Sequence, residues 1–135
     1  MSEASTLALG IALSTFLGGA GDDAANAAAR DAQGHVIVAG ETASGAFAGA
    51  PGALRGSSDA FVMKLDATGS TVLWAVRLGG AGADAALAVA VDAAGDVVVA
   101  GETSSADFPA TAGALQQTPG GGADAFVARL SGGSG

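Results

Sequence analysis

The sequence predicts an all-β protein built from two copies of one antiparallel unit. The first observation behind this is an internal repeat: Phe16–Leu54 aligns with Arg77–Leu115 without a gap, and 24 of the 39 paired residues are identical. The second is a series of short, β-branched runs separated by turns that contain Asp and Gly. A repeat of this length is typical of architectures in which each unit buries its apolar face against the next copy.

The second copy begins with a predicted hairpin. Leu and Val alternate with Ala over Ala86–Val91, which is the period of a strand with two apolar faces. A turn follows at Asp92–Gly95, with Asp at its first position and Gly where a positive φ is needed. The run Asp96–Gly101 is rich in Val and predicts the returning strand.

The equivalent residues of the first copy, Ala25–Arg30 and His35–Gly40, predict the same hairpin. Taken alone, Asp22–Arg30 has the Asp cap and Ala-rich body of a short helix. The aligned positions of the second copy carry Val89 and Val91, which favour a strand. We therefore predict a strand in both copies.

Each copy continues with a loop and a third strand. The loops are Glu41–Ser58 and Glu102–Ala123, and the strands that follow are Asp59–Leu65 and Asp124–Leu130. In the first copy a turn leads to a fourth strand at Thr71–Leu78. Leu7–Leu17 aligns with this fourth strand at the same offset, so it predicts one more strand ahead of the first hairpin.

Four antiparallel strands in roughly 61–65 residues match one blade of a β-propeller. With strands lettered A to D outward from the ring axis, the chain reads D-ABCD-ABC. We expect residues 1–17 to complete a blade of a neighbouring chain, residues 18–78 to form blade 1, and residues 79–135 to form blade 2 without its outer strand. The ring would then close by homo-oligomerisation, with three chains giving six blades or four giving eight. The alternative is an excerpt or designed fragment of a longer propeller.

Three segments resemble a known repeat. Ser14–Asp23, Asp59–Asp66 and Asp92–Pro109 are similar to the bacterial seven-bladed β-propeller repeat, called SBBP. The first copy departs from this pattern at Ala48, where the second has Pro109. The resemblance implies a propeller of secreted or surface bacterial proteins, without a known activity or catalytic residues.

Composition excludes several classes of function. The net charge of −8 argues against binding to nucleic acid or to anionic membranes, because both need a basic surface. The absence of cysteine excludes disulfides and thiolate chemistry. No apolar run is long enough for a membrane span, and Met1–Ser5 lacks the basic start of a signal peptide.

The glycine-rich segments are the first candidates for a ligand site. Gly79–Leu87 nearly fits the calcium-binding nonapeptide of parallel β-helices, and Gly18–Asn26 is a weaker copy. That motif needs tandem copies nine residues apart, so we interpret both segments as crossings from an outer strand to the next inner strand. A single oxygen-ligated cation such as calcium at Asp22, Asp23 or Asp84 is the alternative.

The Glu-Thr pairs that end the second strand of each copy are the other candidates. In a closed ring, Glu41, Thr42, Glu102 and Thr103 would form a rim of carboxylates and hydroxyls able to bind a cation or a polyol. The competing interpretation is that they fix the following loop by hydrogen bonds. His35, the only histidine, follows a Gly turn and is expected to be solvated.

No catalytic constellation is visible in the sequence, so no enzyme is predicted. Phe61 and Phe126 are expected in the core, and Trp74 as a packing residue of the outer strand. The predicted function is a non-enzymatic, self-assembling β-propeller scaffold or binding module. A calcium-dependent carbohydrate or surface-adhesion module is the alternative, and a hydrolase that uses rim carboxylates comes third.

Overall fold

The computed structural model describes residues 10–47 and 49–131, which contain seven β-strands and no helix. The strands are β1 Asp23–Arg30, β2 Val36–Thr42, β3 Asp59–Leu65, β4 Val72–Leu78, β5 Asp84–Val91, β6 Val97–Thr103 and β7 Asp124–Leu130. The predicted all-β class is therefore confirmed. Within these residues no helix exists that could cross a membrane.

The strands form two antiparallel sheets that repeat one another. Sheet 1 has the order β1-β2-β3-β4, and sheet 2 has the order β5-β6-β7. Both first hairpins share a register shift that leaves Asn26 and Leu87 without a cross-strand partner, at equivalent positions of the repeat. The Ala-rich segment before Arg30 is thus a bulged strand, as the aligned copy predicts, and not the short helix its own composition would suggest.

Aspartates fix the tight turns, as their positions in the sequence predict. One carboxylate oxygen of Asp31 accepts hydrogen bonds from the backbone N–H groups of residues 33 and 35. The equivalent oxygen of Asp92 accepts hydrogen bonds from the N–H groups of residues 94 and 96. Gly34 and Gly95 adopt φ values of 87° and 89°, which only glycine adopts readily. These contacts close both hairpins in the same way.

The two sheets pack face to face on a shared apolar cluster, called here the interface core. Sheet 1 supplies Ile37, Ala39, Ala60 and Val62, and sheet 2 supplies Ala86, Val97, Val99 and Phe126. The ring of Phe108 lies 4.5 Å from that of Phe126, and Trp74 of β4 packs against the same cluster. The predicted packing roles of Phe126 and Trp74 are confirmed.

The other face of sheet 1 is covered by segments of its own chain. Phe61 and Met63 are fully buried there. The ring of Phe47 stands 4.6 Å from that of Phe61, and Leu17 packs against the same cluster. Phe47 on Phe61 repeats the arrangement of Phe108 on Phe126, so each sheet carries an equivalent aromatic pair on the equivalent face.

Residues 10–19 form no strand within the chain, which differs from the strand predicted at Leu7–Leu17. Residues 7–9 of that segment and residues 132–135 at the other end lie outside the described residues. Leu13 packs beside Gly69, and Leu17 against sheet 1. The physical reason for the difference is that a strand requires a neighbouring backbone for its hydrogen bonds, and sheet 1 already ends in its own β4.

Candidate functional site

A buried hydrogen-bond network joins β5 to β6 where the hairpin opens. Asp84 accepts a hydrogen bond of 2.5 Å from the Thr103 hydroxyl and one of 3.0 Å from the Gly80 N–H. The Ser105 hydroxyl lies 2.9 and 3.0 Å from the two oxygens of the same carboxylate. Asp84, Thr103 and Ser105 are all buried, so the network satisfies a charge that water cannot reach.

The first copy contains the same network at the equivalent positions. Asp23 accepts hydrogen bonds from the hydroxyls of Thr42 and Ser44 and from the N–H of Gly19. Burial alone would raise the pKa of Asp23, but the hydrogen bonds from Thr42, Gly19 and Ser44 lower it below its ordinary value. These contacts are what the loop-fixing interpretation of the Thr residues predicts, since Thr42 also accepts the N–H of Ser44 at 3.0 Å.

The glutamates of the Glu-Thr pairs lie apart from the buried threonines. Glu41 accepts a hydrogen bond of 3.2 Å from the bulged Asn26, which also donates to the carbonyl of Ala86 at 2.9 Å. Asn26 therefore connects β1 of sheet 1 with β5 of sheet 2. Glu102 is exposed, and the residue equivalent to Asn26 in its copy is Leu87.

A second buried carboxylate approaches the first at the junction between the sheets. Asp59 of β3 and Asp84 of β5 both lie against Gly79, where an added Cβ would clash with an oxygen of each. Two arginines lie beside Asp59. The backbone N–H of Arg55 donates to Asp59 Oδ2 at 3.1 Å, and the guanidinium of Arg77 lies 3.8 Å from the same oxygen.

The surroundings of Asp59 raise its pKa above the ordinary value. Burial raises the pKa of Asp59 and the negative charge of Asp84 acts in the same direction, while the Arg55 N–H and the Arg77 guanidinium oppose both. The Oδ1 atom of Asp59 is buried and has no hydrogen-bond partner among the described residues. This carboxyl is therefore only partly compensated even with two arginines nearby.

Arg55 also joins the two copies directly. Its guanidinium donates to the carbonyl of Gly79 and to Asp107 Oδ2, both at 3.1 Å. Asp107 in turn accepts the N–H of Ala81 at 2.8 Å. Arg55 comes from the loop of sheet 1 and Asp107 from the loop of sheet 2, so this ion pair belongs to the junction of the two sheets and not to either hairpin.

A third polar cluster surrounds His35, at the other end of sheet 1. The Nδ1 atom of His35 lies 2.9 Å from Asp31 Oδ2, and Lys64 Nζ lies 3.1 Å from the same oxygen. The expectation that His35 is simply solvated was wrong, because its ring is tied to the turn aspartate. In sheet 2 Arg129 and Asp96 take the equivalent places and lie 2.6 Å apart.

The structure does not gather the predicted cation ligands into one site. Among residues 10–47 and 49–131, no three His, Asp or Glu side chains are placed to hold a metal ion. Asp23 and Asp84 belong to separate networks, and Asp22 is exposed. An open depression of about 520 Å³ lies beside Asp22 and Asp23, lined by Phe16, Leu17 and the following glycines.

Several residues of the junction were not predicted from the sequence. Ser44 and Ser105 had a detectable signal, because they are identical in the two copies and lie two residues after the Thr they accompany. Arg55, Arg77 and Asp107 had none, since the repeat places Gly120, Phe16 and Ala46 at the corresponding positions. A repeat comparison finds what two copies share, and these side chains are what distinguishes them.

Comparison with known proteins adds no family to these findings. A scan of protein-family models found none that matches the chain, and a search of curated proteins found no match.

Proposed function

We propose that the chain is a two-blade building block of a β-propeller, a non-enzymatic scaffold that associates head to tail with further copies. One observation carries the proposal. Ile37 and Val62 of sheet 1 are 1% and 0% exposed in the interface core, whereas their equivalents in sheet 2, Val98 and Val127, are 37% and 74% exposed. Sheet 2 thus presents to solvent the apolar positions that sheet 1 buries against its neighbour.

The surface that would cover this open face exists on a second copy. Within the chain, the interface core receives Val99 and Phe126 from sheet 2. The equivalent residues of sheet 1 are Val38 and Phe61, on its opposite face, with Phe47 packed there as Phe108 is in the second copy. Sheet 1 of one copy therefore carries the apolar pattern that fits sheet 2 of another, and the contact is heterologous.

The segment before β1 supports the same arrangement. Leu17 is equivalent to Leu78 of β4. Leu17 packs against sheet 1, and Leu78 packs against the interface core, to which the following sheet contributes. Residues 13–17 thus run along sheet 1 where the last strand of a preceding sheet would lie. We infer that in the assembly they become the fourth strand of sheet 2 of the neighbouring copy, beside β7.

A ring follows from repeating one packing step. β5 packs against β1, β2 and β3, so the first strands of the two sheets are neighbours, as the inner strands of adjacent propeller blades are. A heterologous contact that repeats with a constant rotation closes into a ring if the rotation permits. With roughly four to eight blades to a propeller, the closed forms are three copies with six blades or four copies with eight. The SBBP resemblance of the sequence accords with this architecture.

The test is the solution mass from light scattering over a dilution series between pH 5 and pH 8. We expect a discrete species of three or four times the chain mass of 12.5 kDa. Val127→Asp places a charge on the open face of sheet 2 and should leave a folded monomer, because burying an unpaired carboxylate there costs several kcal/mol.

Ala94→Asp is the matched control. Ala94 is exposed in the turn between β5 and β6, and its equivalent Gln33 is exposed as well, so this variant changes the net charge equally and should keep the wild-type mass. A wild-type chain that stays monomeric at every pH and concentration contradicts the proposal, as does assembly that Val127→Asp leaves intact.

A further inference from the structure

The loop before β3 of sheet 1 docks against the segment before β5 of sheet 2. The carbonyl of Ser58 accepts a hydrogen bond of 3.0 Å from the backbone N–H of Asp84, and Ser58 forms a parallel β-bridge with Ala83. Gly56 lies so close to the same segment that an added Cβ would clash with the carbonyl oxygen of Gly82. Because backbone groups make these contacts, segments with other side chains can form the same junction.

The repeat contains both halves of this junction a second time, and the fold of one chain does not join them. The first half recurs at residues 120–123, before β7, and the second half recurs at residues 18–22, before β1. The bridging pair would be Ala123 and Asp22, and no bridge between these two exists in the described part of the chain. A single copy thus holds two unjoined halves, which two copies can join.

The half before β7 already resembles the half before β3. The N–H of Gly120 donates to the first aspartate of β7 at 2.8 Å, as the N–H of Arg55 donates to the first aspartate of β3 at 3.1 Å. Gly56, which has no room for a side chain, is matched by Gly121. An added Cβ at Gly121 would meet no atom within 4 Å, so the single chain leaves the space beside it open.

The half before β1 lines the open depression described above. Its backbone is fixed as in the joined half, because the N–H of Gly21 donates to Ser44 at 2.9 Å and the equivalent N–H of sheet 2 donates to Ser105 at 2.8 Å. Phe16 is fully exposed at this depression, whereas its equivalent Arg77 has a side chain only 6% exposed. Docking of a loop here would therefore remove Phe16 from water.

The strand exchange proposed above brings the two halves together. Within the chain Ala60 pairs with Leu78, so the residues before β3 lie beside the residues after β4. The equivalent pair is Ala125 of β7 and Leu17 of the segment inferred to become its neighbour in the assembly. Pairing of Ala125 with Leu17 places residues 120–123 of one copy beside the depression of the next.

We propose that residues 120–123 of one copy dock in the depression before β1 of the next copy, with Ala123 and Asp22 forming the bridge that Ser58 and Ala83 form within the chain. This inference rests on the proposed head-to-tail association and names the segments that meet in it. The occupant of the depression is then a glycine-rich loop of a second copy.

One feature of the in-chain junction is missing from the joint between copies. Arg55 donates to the carbonyl of Gly79 and to Asp107 across the in-chain junction, and Gly120 and Ala46 stand at the equivalent places of the joint. The joint therefore lacks the guanidinium that reinforces the junction, and association between copies is weaker than the contact between the two sheets of one chain.

Cysteine pairs test the contact directly, because the chain has no cysteine of its own. With oxidised glutathione, Asp22→Cys and Ala123→Cys in one chain should link successive copies, since bridged residues lie about 4.8 Å apart, within the span of a disulfide. The linked species are identified by their mass in denaturant. Ser58→Cys with Ala83→Cys is the positive control and should close within a single chain. Asp22→Cys with Ala94→Cys, in the exposed turn at the other end of sheet 2, should leave the copies unlinked.

Gly120→Arg tests the same geometry through affinity. Gly120 does not have a positive φ, and an added Cβ there would meet its nearest atom at 3.7 Å, so a side chain fits. Its guanidinium should reach the carbonyl of Gly18 in the next copy and raise the association constant, measured by sedimentation equilibrium, by about fivefold. Ala94→Arg changes the net charge equally and should give a smaller gain.

Four outcomes would contradict these expectations. Wild-type assembly in which the Asp22→Cys and Ala123→Cys pair links copies no faster than the Ala94→Cys control overturns this inference and leaves the proposed function standing. A disulfide that closes this pair within one chain overturns it as well, as does a gain from Gly120→Arg no larger than that from Ala94→Arg. Absence of assembly at every concentration overturns the proposed function itself.

Discussion

At the scale of single residues, the same carboxylate serves different purposes in the two copies. Asp23 and Asp84 accept equivalent hydrogen bonds from a Thr, a Ser and a Gly, and this network was conserved by the repeat. Asp59 and Asp124 are also equivalent, yet only Asp59 has arginines beside it. The side chains that neighbour a residue, and not its own type, therefore decide whether its charge is compensated.

The Thr103 hydroxyl should be a measurable part of this network. Thr103→Val keeps the shape of the side chain but leaves an oxygen of the buried Asp84 without its 2.5 Å hydrogen bond. Because hydrogen bonds to charged groups contribute more than neutral ones, we expect the free energy of unfolding to fall by about 2 kcal/mol. Urea titration, at a concentration where both proteins have the same solution mass, measures the difference.

Thr111→Val is the matched control, since Thr111 is exposed in the loop between β6 and β7. It should change the free energy of unfolding by less than about 0.5 kcal/mol. Equal effects of the two substitutions would show that the buried hydrogen bond to Asp84 adds nothing to stability.

At the scale of the hairpin, alternation and turn residues predicted nearly every strand, but one element needed the second copy. The composition of Asp22–Arg30 favours a helix, and only the Val residues aligned with it indicate β1. The strand at Leu7–Leu17 was predicted by the same alignment, yet its described part is not a strand in the chain. Alignment transfers a residue's local preference, whereas a strand also depends on a neighbouring backbone to pair with.

The contacts of Asp31, in the turn after β1, with Lys64 of β3 and with His35 should make the stability of the fold depend on pH. Burial alone would raise the pKa of Asp31, but hydrogen bonds from Lys64 and His35 hold this pKa well below its ordinary value of 3.8. Because the pKa of Asp31 is lowered in the folded state, its contribution to the free energy of unfolding is complete above about pH 4 and is lost as the pH falls further. Asp31→Asn should therefore unfold at lower urea concentration at pH 7 and lose less stability between pH 4 and pH 2.5.

The equivalent turn of sheet 2 offers the control for this measurement. Asp92 fixes its turn in the same way, but it is more exposed and lies 3.7 Å from its cation, Arg129. Asp92→Asn should lower the urea midpoint at pH 7 by less than Asp31→Asn does. A wild-type acid profile that Asp31→Asn leaves unchanged would place the acid sensitivity of the fold elsewhere.

At the scale of the whole molecule, the repeat predicts two equivalent sheets, and the structure shows how unequal their positions are. Sheet 1 is covered on both faces, while sheet 2 is covered on one. In the sequence, only the strand order indicates that the two sheets are covered differently, because Val62 and Val127 are the same residue in the same motif. Their exposures differ through what lies opposite each in space, which no pattern along one strand records.

The shared interface core should make the two sheets unfold together. Val99 of sheet 2 is fully buried in that core, and Trp74, the only tryptophan, packs against it from β4 of sheet 1. Val99→Ala leaves a cavity at the contact and should lower the free energy of unfolding by about 2 kcal/mol. Because the sheets stabilise each other, the midpoint of the unfolding transition followed by Trp74 fluorescence in sheet 1 should shift. The midpoint followed by far-UV circular dichroism of the whole chain should shift by the same amount. Leu115→Ala, on the exposed loop, should move neither transition. A fluorescence transition that stays in place while the circular dichroism transition shifts would mean that each sheet unfolds independently, and neither sheet would then need the other to fold.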